Sequence, residues 1–68
     1  MSRELPFVIY CVETYKNQKG MTGAEVMDLF GRCGVVGYIR AFYDSLHLIG
    51  PKALVEDLDD YIGSRPSA

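Results

Sequence analysis

Apolar residues recur at helix-face spacing through most of this chain. Phe7, Val8, Cys11, Val12 and Tyr15 follow the 3.6-residue period, and Glu13, Lys16 and Asn17 fall on the opposite side. The run Phe7–Val12 taken alone also suits a buried strand, and the period decides for helix. Ser2 is placed to cap this helix, Pro6 fits within its first turn, and Lys19-Gly20 reads as its stop. Two side chains break the pattern. Ile9 lands on the polar side and Tyr10 lies beside it. Such a helix is either sandwiched centrally or meets another chain.

Thr22-Gly23-Ala24-Glu25 has the spacing of a capping box and predicts a second helix, with Val26, Leu29, Phe30 and Cys33 as its apolar stripe and Gly34 as its end. Gly31 inside that helix costs about 1 kcal/mol against alanine, which suggests tight packing there. A third helix is expected from Val35 or Val36 to about Leu46, with Val35, Ile39, Phe42 and Leu46 on one face. Gly50-Pro51 opens a fourth, with Leu54, Leu58, Tyr61 and Ile62 turned inward, Val55 at the border and Gly63 as the close. The expected fold is all-α, a bundle of four short helices over residues 1–63 with a disordered tail at 64–68. Its expected core holds Phe7, Val8, Cys11, Val12, Tyr15, Val26, Leu29, Phe30, Ile39, Phe42, Leu46, Leu54, Leu58 and Ile62.

Composition narrows the functional classes. Sixty-eight residues make one domain at most and bury only a modest core. The net charge of −2 is uneven, about +1 over residues 1–40 and −3 over residues 41–68, which argues against generic nucleic-acid binding. Cys11 and Cys33 are isolated, and with a single histidine they make no four-ligand zinc set, so no metal or cofactor is expected and both thiols read as small buried hydrophobes. No apolar run is long enough for a membrane span and the start lacks a signal-peptide pattern, so a cytoplasmic protein is expected.

Two surface features carry the candidate chemistry. Arg40, Tyr43, Asp44 and His47 are neighbours on a continuous helix, where Asp44 either pairs with Arg40 or hydrogen-bonds to His47. The plainer account is a surface ion pair with a histidine near a helix C-terminus. No catalytic set can be assembled from these residues, and a chain this short encloses little volume for a dry site. The second feature is acidic. Glu56, Asp59 and Asp60 lie at i, i+3 and i+4 and form a negative stripe on the fourth helix, with two of the charges opposing the helix dipole in its last turn. The plainer account here is a solvated face that keeps the domain soluble.

The aromatic first helix ending in Glu13-Thr14-Tyr15-Lys16, the segment Thr22–Val26 followed by Phe30, the Tyr43-Asp44-Ser45-Leu46-His47 stretch and the closing Val55–Ile62 together resemble a family of short bacterial proteins catalogued as domain of unknown function 3791. The resemblance carries no established activity. It implies genes placed beside ADP-ribosyltransferase-like proteins, and so a toxin-neutralising or accessory role. The expected function is a non-enzymatic protein-binding module, with Glu56, Asp59, Asp60, Ile9 and Tyr10 as its contact residues and a homodimer through the first helix. The alternative is a small helix-turn-helix-like regulator using the second and third helices, although Arg40 is the only base the third would present.

Overall fold

Helices account for every regular element among residues 3–64, which are the residues described by the structure, a computed structural model. The fold is all-α. The first helix, α1, spans Glu4–Lys19 and carries Pro6 in its first turn, where the missing N–H costs nothing. Ser2, the expected cap, lies outside the described residues. Gly20 closes α1 in the left-handed conformation (φ 66°), its N–H bonding back to the Lys16 carbonyl.

The capping box starts α2, Gly23–Cys33. The Glu25 N–H donates to Thr22 Oγ1 at 3.1 Å, and the Thr22 N–H donates to Glu25 Oε1 at 2.8 Å. Gly34, again left-handed at φ 67°, ends α2 and starts α3, Val35–Ala41, and is the single residue between them. The last helix, α5, runs Pro51–Gly63 with proline at its start. Gly63 is its last helical residue, as expected. Ser64 caps it, with its hydroxyl donating to the Tyr61 carbonyl at 2.8 Å; residues 65–68 lie outside the described part.

The third predicted helix is two. Its backbone leaves helical geometry at Phe42 (φ −111°, ψ 25°), and a single turn, α4, follows at Tyr43–Leu46. A straight helix would stack Val35, Ile39, Phe42 and Leu46 on one face. The bend carries Leu46 into the core and leaves Phe42, expected inside, 53% exposed and resting against the Tyr38 ring at 5.1 Å.

The core is otherwise close to the predicted one. Val8, Cys11, Val12 and Tyr15 from α1 meet Val26 and Phe30 from α2, Val35 and Ile39 from α3, Leu46 from α4, and Leu54, Val55 and Leu58 from α5. Val35 and Val55 join it, while Phe7, Leu29 and Ile62 are half-buried at its edge. Both cysteines are free thiols. Cys11 is buried, which pushes its thiol up to about 12 and keeps it protonated, whereas Cys33 is only half-buried. No helix among the described residues is long and apolar enough to cross a membrane.

Gly31 is not packed tightly. A Cβ built there meets nothing within 4 Å, and Gly20 is open in the same sense but sits at positive φ. The two glycines therefore predict opposite signs. Gly31→Ala should stabilise the domain by about 0.4–1 kcal/mol, because the helix keeps its geometry and the unfolded chain loses freedom. Gly20→Ala should destabilise it by about 1–2 kcal/mol, the cost of a left-handed alanine. Urea unfolding of the two variants beside wild type checks both signs.

Candidate functional site

Tyr43 organises the polar cluster. Its ring meets Phe7 edge-on at 5.4 Å between centroids and stacks parallel on the His47 imidazole at 4.5 Å and 3°. Phe7 in turn stacks on Tyr10 at 5.8 Å, and the Arg3 guanidinium lies 5.5 Å from the Tyr43 centroid. The result is a ladder of four rings, Tyr10–Phe7–Tyr43–His47, running from α1 to the end of α4. His47 Nδ1 lies 2.7 Å from the Tyr43 carbonyl oxygen. Only an N–H can satisfy a carbonyl, so Nδ1 is the donor in this contact.

The expected partners of Asp44 do not form. Arg40 and Asp44 are exposed and make no hydrogen bond or ion pair among the described residues. The break at Phe42 falls between them and removes the i, i+4 neighbour relation. His47, the other expected partner of Asp44, places Nδ1 against the Tyr43 backbone carbonyl one turn back instead.

The acidic stripe is also rearranged. Glu56 and Asp60 are exposed one turn apart on α5, but Asp59 is half-buried. The buried Tyr15 hydroxyl donates to Asp59 Oδ1 at 2.6 Å, and Lys19 Nζ lies 2.6 Å from Asp59 Oδ2. Asp59 is thus compensated, and it ties the last turn of α5 to the last turn of α1. A second tie was not anticipated. The Tyr38 hydroxyl of α3 donates to Asp57 Oδ1 of α5, and the Tyr38 ring stacks on Tyr61 at 4.0 Å. The available signal for the Asp59 tie was the predicted burial of Tyr15, because a phenol in a core needs an acceptor and α5 offers carboxylates beside its apolar stripe. These bonds also move the phenols. Asp57 as acceptor, more than burial, pushes the Tyr38 hydroxyl up to about 12, and burial followed by Asp59 raises Tyr15 further.

Ile9 and Tyr10 are both exposed, at 60% and 45%, on different flanks of α1. Tyr10 belongs to the ring ladder, while Ile9 shares its flank with exposed Leu5 one turn earlier. Among the described residues there is no pocket and no group of three or more His, Cys, Asp or Glu placed to hold a metal ion.

The chain belongs to the family described as "Protein of unknown function (DUF3791)", which matches residues 6–65. No curated protein and no solved structure matches it.

Asp59 and Asp60 should separate cleanly on mutation. Asp59→Ala leaves the Tyr15 hydroxyl buried without an acceptor and should cost about 1–3 kcal/mol, whereas Asp60→Asn should lie within about 0.5 kcal/mol of wild type. Pairing Asp59→Ala with Tyr15→Phe should recover part of the loss, because no donor is then orphaned. Chemical denaturation of these variants beside wild type and Tyr15→Phe alone tests this, and additive losses would contradict the hydrogen bond.

The Tyr38 tie also sets an alkaline limit. Its phenol is held above the ordinary tyrosine value of about 10, so the folded state retains the proton more tightly than the unfolded chain does. The stability linked to this proton is complete below pH 10 and falls as pH rises towards 12. Melting temperatures of wild type and Tyr38→Phe between pH 9 and 12 should therefore show a shallower alkaline decline in the variant.

Proposed function

We propose that this chain is a non-enzymatic protein-interaction module that docks through the link between α3 and α5. The observation that carries the reading is the apolar surface held out there. Leu48 is 77% exposed, and Phe42 and Ile49 are exposed within the same short segment. The core needs none of the three, since Leu46 fills it from this segment. Exposed large apolar side chains gathered in one place mark interaction surfaces more often than exposed single residues do. The ring ladder and Arg3 border the same segment, and aromatic and arginine side chains are the common anchors of protein interfaces. Glu56 and Asp60 supply a negative pair on α5 that steers a basic surface, with an association rate that falls as salt rises. In this reading the partner is an ADP-ribosyltransferase-like toxin and the chain its antitoxin-like or accessory protein, as the family resemblance suggests.

A helix-turn-helix-like regulator ranks below this reading. The exposed positions of α3 are Gly37, Arg40 and Ala41, so Arg40 is the only base it offers to a groove.

The test is a pull-down from the native host with wild type and Leu48→Asp side by side. Leu48 is exposed, so the substitution should leave the melting temperature within about 2 °C of wild type. An ADP-ribosyltransferase-like protein enriched by wild type and at least tenfold depleted with Leu48→Asp is the expected result. Equal recovery by both, or recovery of DNA in place of a protein, contradicts the reading.

A further inference from the structure

The outward side of α1 carries a pattern with its own symmetry. Arg3 has helical backbone angles (φ −71°, ψ −22°), so it continues the faces of α1. Arg3, Pro6, Tyr10 and Glu13 then follow one another at spacings of three, four and three. At 3.6 residues per turn they form one line, on the side opposite the buried Val8, Cys11, Val12 and Tyr15. All four are exposed. The spacing reads the same in both directions, and reversal exchanges Arg3 with Glu13 and Pro6 with Tyr10.

We propose that α1 pairs antiparallel with α1 of a second copy of this chain, about a two-fold axis at the level of Val8. A two-fold interface must be self-complementary, with residue i meeting j and j meeting i. In this register Arg3 faces Glu13 of the second copy and Glu13 faces its Arg3. Pro6 of each copy lies on Tyr10 of the other. Ile9, one position from the axis, meets the other Ile9 on the same flank, and each Leu5 lies beside them. The pairing covers the three large apolar side chains that α1 leaves exposed, Leu5, Ile9 and Tyr10.

The charges permit it. Glu13 has Lys16 Nζ at 3.3 Å, and its carboxylate can accept a second cation. Arg3 is exposed and lies over the Tyr43 ring, a weak contact that a carboxylate can replace. Parallel pairing would set Arg3 against Arg3 and Glu13 against Glu13, so the charges fix the direction. The paired stretch from residue 3 to residue 13 is about 15 Å long, short for an interface, and so the dimer is weak and depends on concentration. The surface meets the border of the link segment at Arg3 and Tyr10, but Ile9 and Glu13 belong to it alone and Leu48 to the link alone, so variants at Ile9 and at Leu48 report on the two separately.

Sedimentation equilibrium of the full chain up to about 1 mM tests the pairing, since a millimolar dissociation constant is the weakest association it can detect. Wild type should dimerise. Ile9→Asp should stay monomeric with an unchanged far-UV spectrum. Arg3→Glu alone and Glu13→Arg alone should each weaken dimerisation about tenfold or more, and the double exchange should restore it. Wild type that remains monomeric at the highest concentration overturns the proposal. So does a dimer indifferent to the single charge reversals, or a double variant no better than the singles. A monomeric wild type whose Ile9→Asp variant loses the protein partner assigns this face to that partner and overturns self-pairing equally.

Discussion

The Tyr15 hydroxyl has to be bonded, and much of the fold depends on how it is met. Tyr15 is 4% exposed at the junction of α1, α2 and α5, with its ring edge-on to Phe30 at 5.3 Å. A phenol gives this small core more contact area than any aliphatic side chain would, but it brings a donor that no apolar neighbour can accept. Asp59 accepts it from α5, and Lys19 balances the carboxylate from the last turn of α1. The group that would otherwise penalise burial becomes the fastening between the first and last helices. Tyr38 and Asp57 repeat the arrangement between α3 and α5. The helix that is last in sequence is thus held at two points, and its aspartates are placed by the phenols they serve.

The bend at Phe42 is the second constraint. A chain that must return from α3 to start α5 at Pro51 has few residues in which to turn and still needs an apolar side chain to close that end of the core. Leu46 closes it from the one-turn α4. The side chain displaced is Phe42, and the same break brings Tyr43 over Phe7 and stacks His47 upon it. The candidate binding segment is therefore a consequence of core closure. Its exposed apolar residues sit where the chain has changed direction, on a turn held by the Leu46 and His47 N–H groups bonding to the Phe42 and Tyr43 carbonyls.

Some of this was legible in the residues and some was not. The capping box at Thr22 and the stops at Gly20 and Gly34 were readable because each is decided within a few residues, by a side chain reaching its own backbone or by a backbone angle that only glycine adopts without strain. The faces of α1, α2 and α5 were readable because one period runs through each. Phe42 was misread because periodicity reports which side a residue would occupy on a straight helix and is blind to a change of axis. Asp59 was misread for a different reason. Within α5 it is an acid opposing the dipole, and its compensation comes from Tyr15 and Lys19, forty or more positions away in sequence. Arg40 and Asp44 failed as a pair because of the same bend that misplaced Phe42, so one unrecognised backbone change accounts for errors in both core and site.

The length of α1 explains why it is apolar on more than its inward side. At 16 residues it is the longest helix here, and α2, α3 and α5 all pack against it. Those neighbours bury one side, namely Val8, Cys11, Val12 and Tyr15. No other helix among the described residues covers the opposite side, and residues placed there ordinarily become charged or amide side chains. Asn17, Gln18 and Lys19 follow that rule at the C-terminal end, whereas Leu5, Ile9 and Tyr10 depart from it at the N-terminal end. The departure is confined to the N-terminal half of α1, away from the Asp59–Lys19 tie. Tyr10 is partly used within the domain, stacking on Phe7, whereas Leu5 and Ile9 stay outside the core. A single helix thereby serves as the central strut of the core along one side and as an unpaired apolar surface along the other.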